Sequence, residues 1–120
     1  MPVRIAICDD SAADAAYVGA LLDQWAAQRG LAVQAERFES AQAFLFHYEE
    51  HKDYDVLLLD IEMPGMDGVS MARAIRRENE AVQIVFITGY SDYIAEGYDV
   101  AALHYLMKPV KTDKLFAVLD

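Results

Sequence analysis

The sequence predicts a doubly wound α/β domain, a five-stranded parallel sheet with helices on both faces. Three observations predict it. Five strand-like runs alternate with five helix-like segments along 120 residues, the order that builds parallel sheets from crossover units. The central run, Val56-Leu57-Leu58-Leu59, is apolar without interruption, as in a strand buried on both faces. No repeat, linker or low-complexity stretch divides the chain, and its length suits one domain with its own core.

Each element has a local cause. Val3 to Cys8 is mostly apolar with β-branched residues, a first strand that stops at Asp9-Asp10-Ser11. From Ala12 to Arg29, Val18, Leu21, Leu22 and Trp25 fall at i, i+3, i+4 and i+7, and Gly30 supplies a helix stop. Leu31 to Phe38 alternates, predicting a second strand. Ser40 is placed to cap a second helix carrying Ala41, Phe44, Leu45 and Tyr48. After the polar stretch Glu49 to Asp53, residues 55–60 form the third strand, followed by a turn rich in Pro and Gly. A third helix opens at Asp67-Gly68, with Val69, Ala72 and Ile75 inward and Arg73, Arg76 and Arg77 expected on a solvated face. Val82 to Thr88 is the clearest β segment. Ser91 to Tyr98 predicts a fourth helix, weakened by Gly97; Leu103 to Met107 a fifth strand, stopped by Lys108-Pro109. Thr112 is expected to cap a last helix from Asp113, and its two turns suggest the N-terminal part of a longer protein.

Composition narrows the function. Ten basic against twenty acidic residues give a net charge of −10, which disfavours direct contact with nucleic acid, since phosphate backbones require a positive surface. The lone cysteine, Cys8, sits in an apolar run and is expected to be a small core side chain. No signal peptide is visible and no apolar run approaches the ~20 residues of a membrane span, so a cytoplasmic location away from membranes is expected.

Ligands of an open parallel sheet bind beyond the carboxyl ends of its strands. Strand one ends in Asp9 and Asp10, strand three in Asp60, strand four in Thr88 and strand five in Lys108. Carboxylates packed together raise one another's pKa unless a cation sits among them. A hard divalent ion with oxygen ligands, Mg²⁺ above all, relieves the repulsion and leaves positions for phosphate oxygens. Lys108 and the Thr88 hydroxyl suit the remaining oxygens of a phosphoryl group. Asp60, alone on the central strand, is the candidate nucleophile, and Asp9 and Asp10 the candidate metal holders.

Asp9-Asp10, the run Asp60-Ile-Glu-Met-Pro-Gly-Met-Asp-Gly68, Thr88-Gly89 and Tyr105-Leu-Met-Lys108-Pro109 occur in order across nearly the whole chain. In this the chain resembles the receiver domains of two-component response regulators. The wording around Tyr93 and Ala102-Leu-His-Tyr-Leu-Met-Lys-Pro109 is most similar to receivers of LytTR-type transcription regulators. The resemblance implies a flavodoxin-like sheet of strand order 2-1-3-4-5 over residues 1–120. It implies phosphoryl transfer to Asp60 from a sensor histidine kinase, and a Mg²⁺ cofactor on Asp10, Asp60 and the Glu62 backbone carbonyl, with Asp9 acting mainly through water. It further implies that Lys108 pairs with the phosphoryl group, that the Lys108–Pro109 bond is cis, and that Thr88 and Tyr105 switch together. The readout surface would comprise the fourth helix, fifth strand and last helix, and could support a homodimer. A DNA-binding domain would follow in the parent protein. Such a domain catalyses only its own phosphorylation and dephosphorylation.

Two departures stand out. Glu62 occupies a position where many relatives of this kind carry Asn or another residue, and is expected to alter metal affinity or hydrolysis modestly; the bulky Tyr90, two past Thr88, is expected to shield an acyl phosphate from water. Blander readings apply elsewhere. Pro64 and Gly65 shape a turn, and His47, His51 and His104 lack metal-ligand spacing, the first two expected on an exposed polar stripe. Competing classes are a hydrolase with an aspartyl-phosphate nucleophile, for which Glu62 is the second carboxylate, and a silent interaction module.

Overall fold

The computed structural model describes residues 2–89 and 104–120. Its strands are β1 (Val3–Cys8), β2 (Val33–Phe38), β3 (Val56–Leu59), β4 (Gln83–Thr88) and β5 (His104–Met107). They form one parallel sheet in the order β2-β1-β3-β4-β5. Among the described residues four helices accompany them: α1 (Ala12–Arg29), α2 (Ala41–Tyr48), α3 (Gly68–Arg76) and α4 (Thr112–Leu119). The helix expected over 91–98, with Tyr90 and Tyr93, lies outside the described residues.

Alternation along the strands divides the core between two faces. Ala6, Cys8, Leu57, Leu59, Ile84 and Phe86 pack with Phe44, Met71 and Ile75 of α2 and α3. Ile5, Ile7, Leu58, Val85 and Ile87 pack with Leu22 and Trp25 of α1 and Leu115 and Phe116 of α4. Successive side chains of a strand point to opposite faces, so a central strand covered on both must be apolar at nearly every position. The run Val56 to Leu59 meets that demand. Cys8 is fully buried and unpaired, and burial pushes its thiol pKa up.

Caps set the helix ends. Ser11, Ser40 and Asp67 each accept a hydrogen bond from the backbone N–H three residues on, satisfying a donor the helix cannot. Gly30, at φ 65°, closes α1 in the left-handed conformation, and the Leu31 N–H bonds back to the Ala26 carbonyl. Leu31 is therefore spent on the cap, and β2 begins at Val33 rather than at Leu31. The last helix also departs from expectation. Thr112 lies inside its first turn, and Lys111 stands at the cap position without a side-chain hydrogen bond.

Two side chains expected in solvent are not there. The Arg76 guanidinium folds back, Nη1 donating to the carbonyls of Val82 at 2.6 Å and Asn79 at 3.2 Å. It ties the end of α3 to the start of β4. His47 is half-buried, its ring 5.1 Å from that of Phe38 and stacked 4.5 Å from that of His51. Phe38 of β2 covers one side of the His47 ring, while His51 is exposed as expected. No described helix is long and apolar enough to cross a membrane.

Candidate functional site

The sheet order reverses at β1, which has β2 on one side and β3 on the other. A crevice opens at such a point beyond the carboxyl ends of the strands. Register puts the acidic residues level there. Cys8 pairs with Leu59 and Leu59 with Phe86, so Asp9 and Asp60 follow directly on two adjacent strand ends. The backbone fixes them: the Asp60 N–H donates to the Cys8 carbonyl at 2.8 Å and the Asp9 N–H to the Phe38 carbonyl at 3.0 Å.

Asp9, Asp10 and Asp60 each offer a carboxylate oxygen within 4.8 Å of the others. Asp9 and Asp60 are buried and Asp10 is exposed at the rim. Burial first, then the charge of Asp9, pushes the Asp60 carboxyl up to about 6, against the pull of Lys108. A hard oxygen donor set whose mutual repulsion Lys108 offsets only in part fits a divalent cation such as Mg²⁺. Glu62, expected to contribute its backbone carbonyl, is exposed on the turn after β3.

Lys108 enters from β5. Its N–H donates to the Thr88 carbonyl at 2.8 Å, which joins two predicted site residues through the backbone, and its bond to Pro109 is cis. Tyr17 of α1 pins the following segment by donating to the Val110 carbonyl at 2.7 Å. The Lys108 Nζ lies 2.9 Å from Asp9 Oδ2, 2.8 Å from Asp14 Oδ2 and 3.5 Å from Asp60 Oδ2. Burial acts to lower its pKa, but the hydrogen bonds to Asp14 and Asp9 outweigh that and hold it above the ordinary value. Lys108 is therefore a fixed positive charge at the crevice. Thr88 is fully buried at the end of β4. Tyr105, half-buried on β5, is the register partner of Phe86, with ring centroids 6.2 Å apart.

Two participants were not foreseen. Asp14 stands three residues after the capping Ser11, and this spacing, which places it in the first turn of α1, was the available signal. Arg37 on β2 donates through Nη2 to the carbonyls of Asp9 at 3.1 Å and Asp10 at 3.3 Å, holding the turn that carries both carboxylates. It pairs with Ile7 across the sheet, a neighbourhood that no local pattern announces. The arrangement can place an anion's oxygens between a bound cation and an ammonium, beside a carboxylate able to act as nucleophile.

Comparisons with known proteins agree on one family. The model of the response regulator receiver domain matches residues 5–120. An uncharacterized response regulatory protein of Vibrio cholerae is 38% identical over 77 residues, which are 64% of this chain and 29% of that protein. The sensory transduction protein LytT of Oceanobacillus iheyensis is 35% identical over 78 residues, 63% of this chain and 31% of that protein. The chain thus spans about a third of the length of these curated relatives. A receiver domain protein from Clostridium thermocellum superposes with a TM-score of 0.85 at 22% identity, over 98% of this chain and 90% of that one.

Proposed function

Because the chain belongs to the response regulator receiver domain family, a family of signalling switches and not of typical enzymes, we propose that it is switched by phosphorylation of Asp60. The observation that carries this reading is the convergence of three carboxylate oxygens within 4.8 Å, with the Lys108 ammonium 3.5 Å from Asp60.

Receiver domains take their phosphoryl group from histidine kinases. An Asp60 oxygen attacks the phosphorus of a kinase phosphohistidine, the P–N bond breaks, and the electron pair leaves with the imidazole as an acyl phosphate forms. Asp9, Asp10, Asp60 and the Glu62 carbonyl would hold Mg²⁺, which when bound neutralises charge on the phosphoryl oxygens. Lys108 orients another of those oxygens through its ammonium, and the buried strand end around Thr88 limits water.

The switch we infer runs through Thr88 and Tyr105. Thr88 ends β4 with its backbone bonded to Lys108, and Tyr105 lies beside Phe86 on the adjacent strand. A phosphoryl group that draws the Thr88 hydroxyl changes the space open to Tyr105, shifting an equilibrium between two surfaces. The reader of that surface is a further domain of a longer protein, DNA-binding and of the LytTR type, with a homodimer as a second outcome. The likeness to LytT supports the type, and the net charge of −10 supports leaving nucleic acid contact to that domain. The proposed location is the cytoplasm.

Incubation with Mg²⁺ and acetyl phosphate, followed by intact mass, tests the reading. The parent protein is expected to gain one phosphoryl group and Asp60→Asn none. No gain in the parent, even with a cognate kinase, would overturn it.

A further inference from the structure

Among the described residues, the Lys108 ammonium is paired as closely by Asp14, which belongs neither to the proposed acceptor nor to the cation-holding group, as by Asp9 at 2.9 Å. Asp14 Oδ2 lies 2.8 Å from Nζ, closer than Asp60 at 3.5 Å. Asp14 stands outside the group of converging oxygens formed by Asp9, Asp10 and Asp60. It is held from another element: its N–H donates to Ser11 Oγ at 3.2 Å in the first turn of α1, where a negative charge is favoured by the helix dipole. Its side chain is half-exposed.

We propose that Asp14 is a positioning residue, a counter-ion that competes with the phosphoryl group for Lys108. The proposal rests on the reading of Asp60 as phosphoacceptor. Asp9 and Asp60 are drawn to a cation when one binds, whereas Asp14 keeps its claim on the ammonium. Two opposed consequences follow. By neutralising Lys108, Asp14 lessens the repulsion between the ammonium and a divalent ion, which favours cation binding. By occupying Lys108, it slows the arrival of a phosphoryl group that needs the same ammonium.

Asp14→Asn therefore weakens Mg²⁺ binding and speeds phosphoryl acceptance at saturating Mg²⁺. Each change is expected to be about threefold to fivefold, the size of a partly exposed charged contact. Mg²⁺ affinity is read from backbone amide shifts in an NMR titration, and acceptance from intact mass with acetyl phosphate. The affinity measurement is repeated in a Lys108→Gln background. There Asp14→Asn is expected to change Mg²⁺ affinity by less than about twofold, because its effect passes through the missing ammonium. Parent-like values for Asp14→Asn in either measurement overturn the proposal. So does an equal loss of affinity in both backgrounds, which would mean that Asp14 acts on the cation directly. Failure of the parent protein to accept a phosphoryl group overturns instead the underlying reading of Asp60, and the parent control separates the two.

Discussion

Gly68 lies so close against Asp60 that a Cβ at Gly68 would fall 2.1 Å from the Asp60 carbonyl oxygen. Its N–H also donates to the Ile61 carbonyl at 2.9 Å. The start of α3 is thus seated on the backbone that presents Asp60, the proposed acceptor. Gly68→Ala is expected to destabilise the protein by about 1–3 kcal/mol, as overpacking against rigid backbone does, and to slow phosphorylation of Asp60. Urea melts and intact mass read the two effects; a change in stability below about 0.5 kcal/mol, the level of a neutral surface substitution, would contradict the contact.

Asp60 itself destabilises the metal-free fold at neutral pH. Burial and Asp9 raise its carboxyl from the ordinary 3.8 to about 6. Between those values the folded state holds a proton that the unfolded chain has released. Stability from this group is present below about pH 4, is lost as pH rises to about 6, and stays lost above. With chelator present, Asp60→Asn is expected to be more stable than the parent by about 1–3 kcal/mol at pH 7. The two proteins should converge near pH 4. Parallel curves across that range would refute the assignment.

Mg²⁺ should reverse this penalty in the parent. An ion that binds only the folded state stabilises it by about 1.4 kcal/mol when free ion exceeds Kd tenfold. Thermal melts with and without Mg²⁺ are expected to separate for the parent and to coincide for an Asp9→Asn, Asp10→Asn double variant. A shift of equal size in that variant would place the ion elsewhere.

The arginines of α3 should part company. Arg76→Ala removes two hydrogen bonds to the carbonyls of Val82 and Asn79, and is expected to cost about 1–2 kcal/mol. Arg77, exposed at the helix end, should change stability by less than about 0.5 kcal/mol when replaced by Ala. Equal losses in urea melts would mean that the Arg76 contacts contribute nothing.

What the sequence made legible was local chemistry with a fixed period or a fixed place. β1 ends at strand-stopping aspartates, α1 and α2 start at capping serines and α1 ends at a stop glycine, and Asp9, Asp60, Thr88 and Lys108 stand out as candidates because each follows or ends an apolar run. Contacts between elements distant in the chain were less legible. Asp14 reaches Lys108 over 94 positions of the chain, and Arg37 reaches the Asp9 and Asp10 carbonyls because β2 lies beside β1. Spacing puts Asp14 in the first turn of α1, but not beside Lys108, and nothing local puts Arg37 beside Asp9. Arg76 and His47 were placed in solvent because a charged or polar residue on a helix is exposed by default, and only the neighbouring backbone and rings show otherwise.

The pairing of Asp9 with Lys108 joins residues separated by 99 positions, nearly the two ends of the described chain. Its formation requires β1 and β5 to be in the sheet together, with β3 and β4 seated between them. A chain that has emerged from synthesis only as far as β4, or one clipped ahead of β5, carries Asp60, Asp9 and Asp10 but lacks the Lys108 ammonium that pairs with them. On the proposed reading, competence to receive a signal is thereby tied to completion of the fold, and an unfinished molecule would stay silent without any separate check on its integrity.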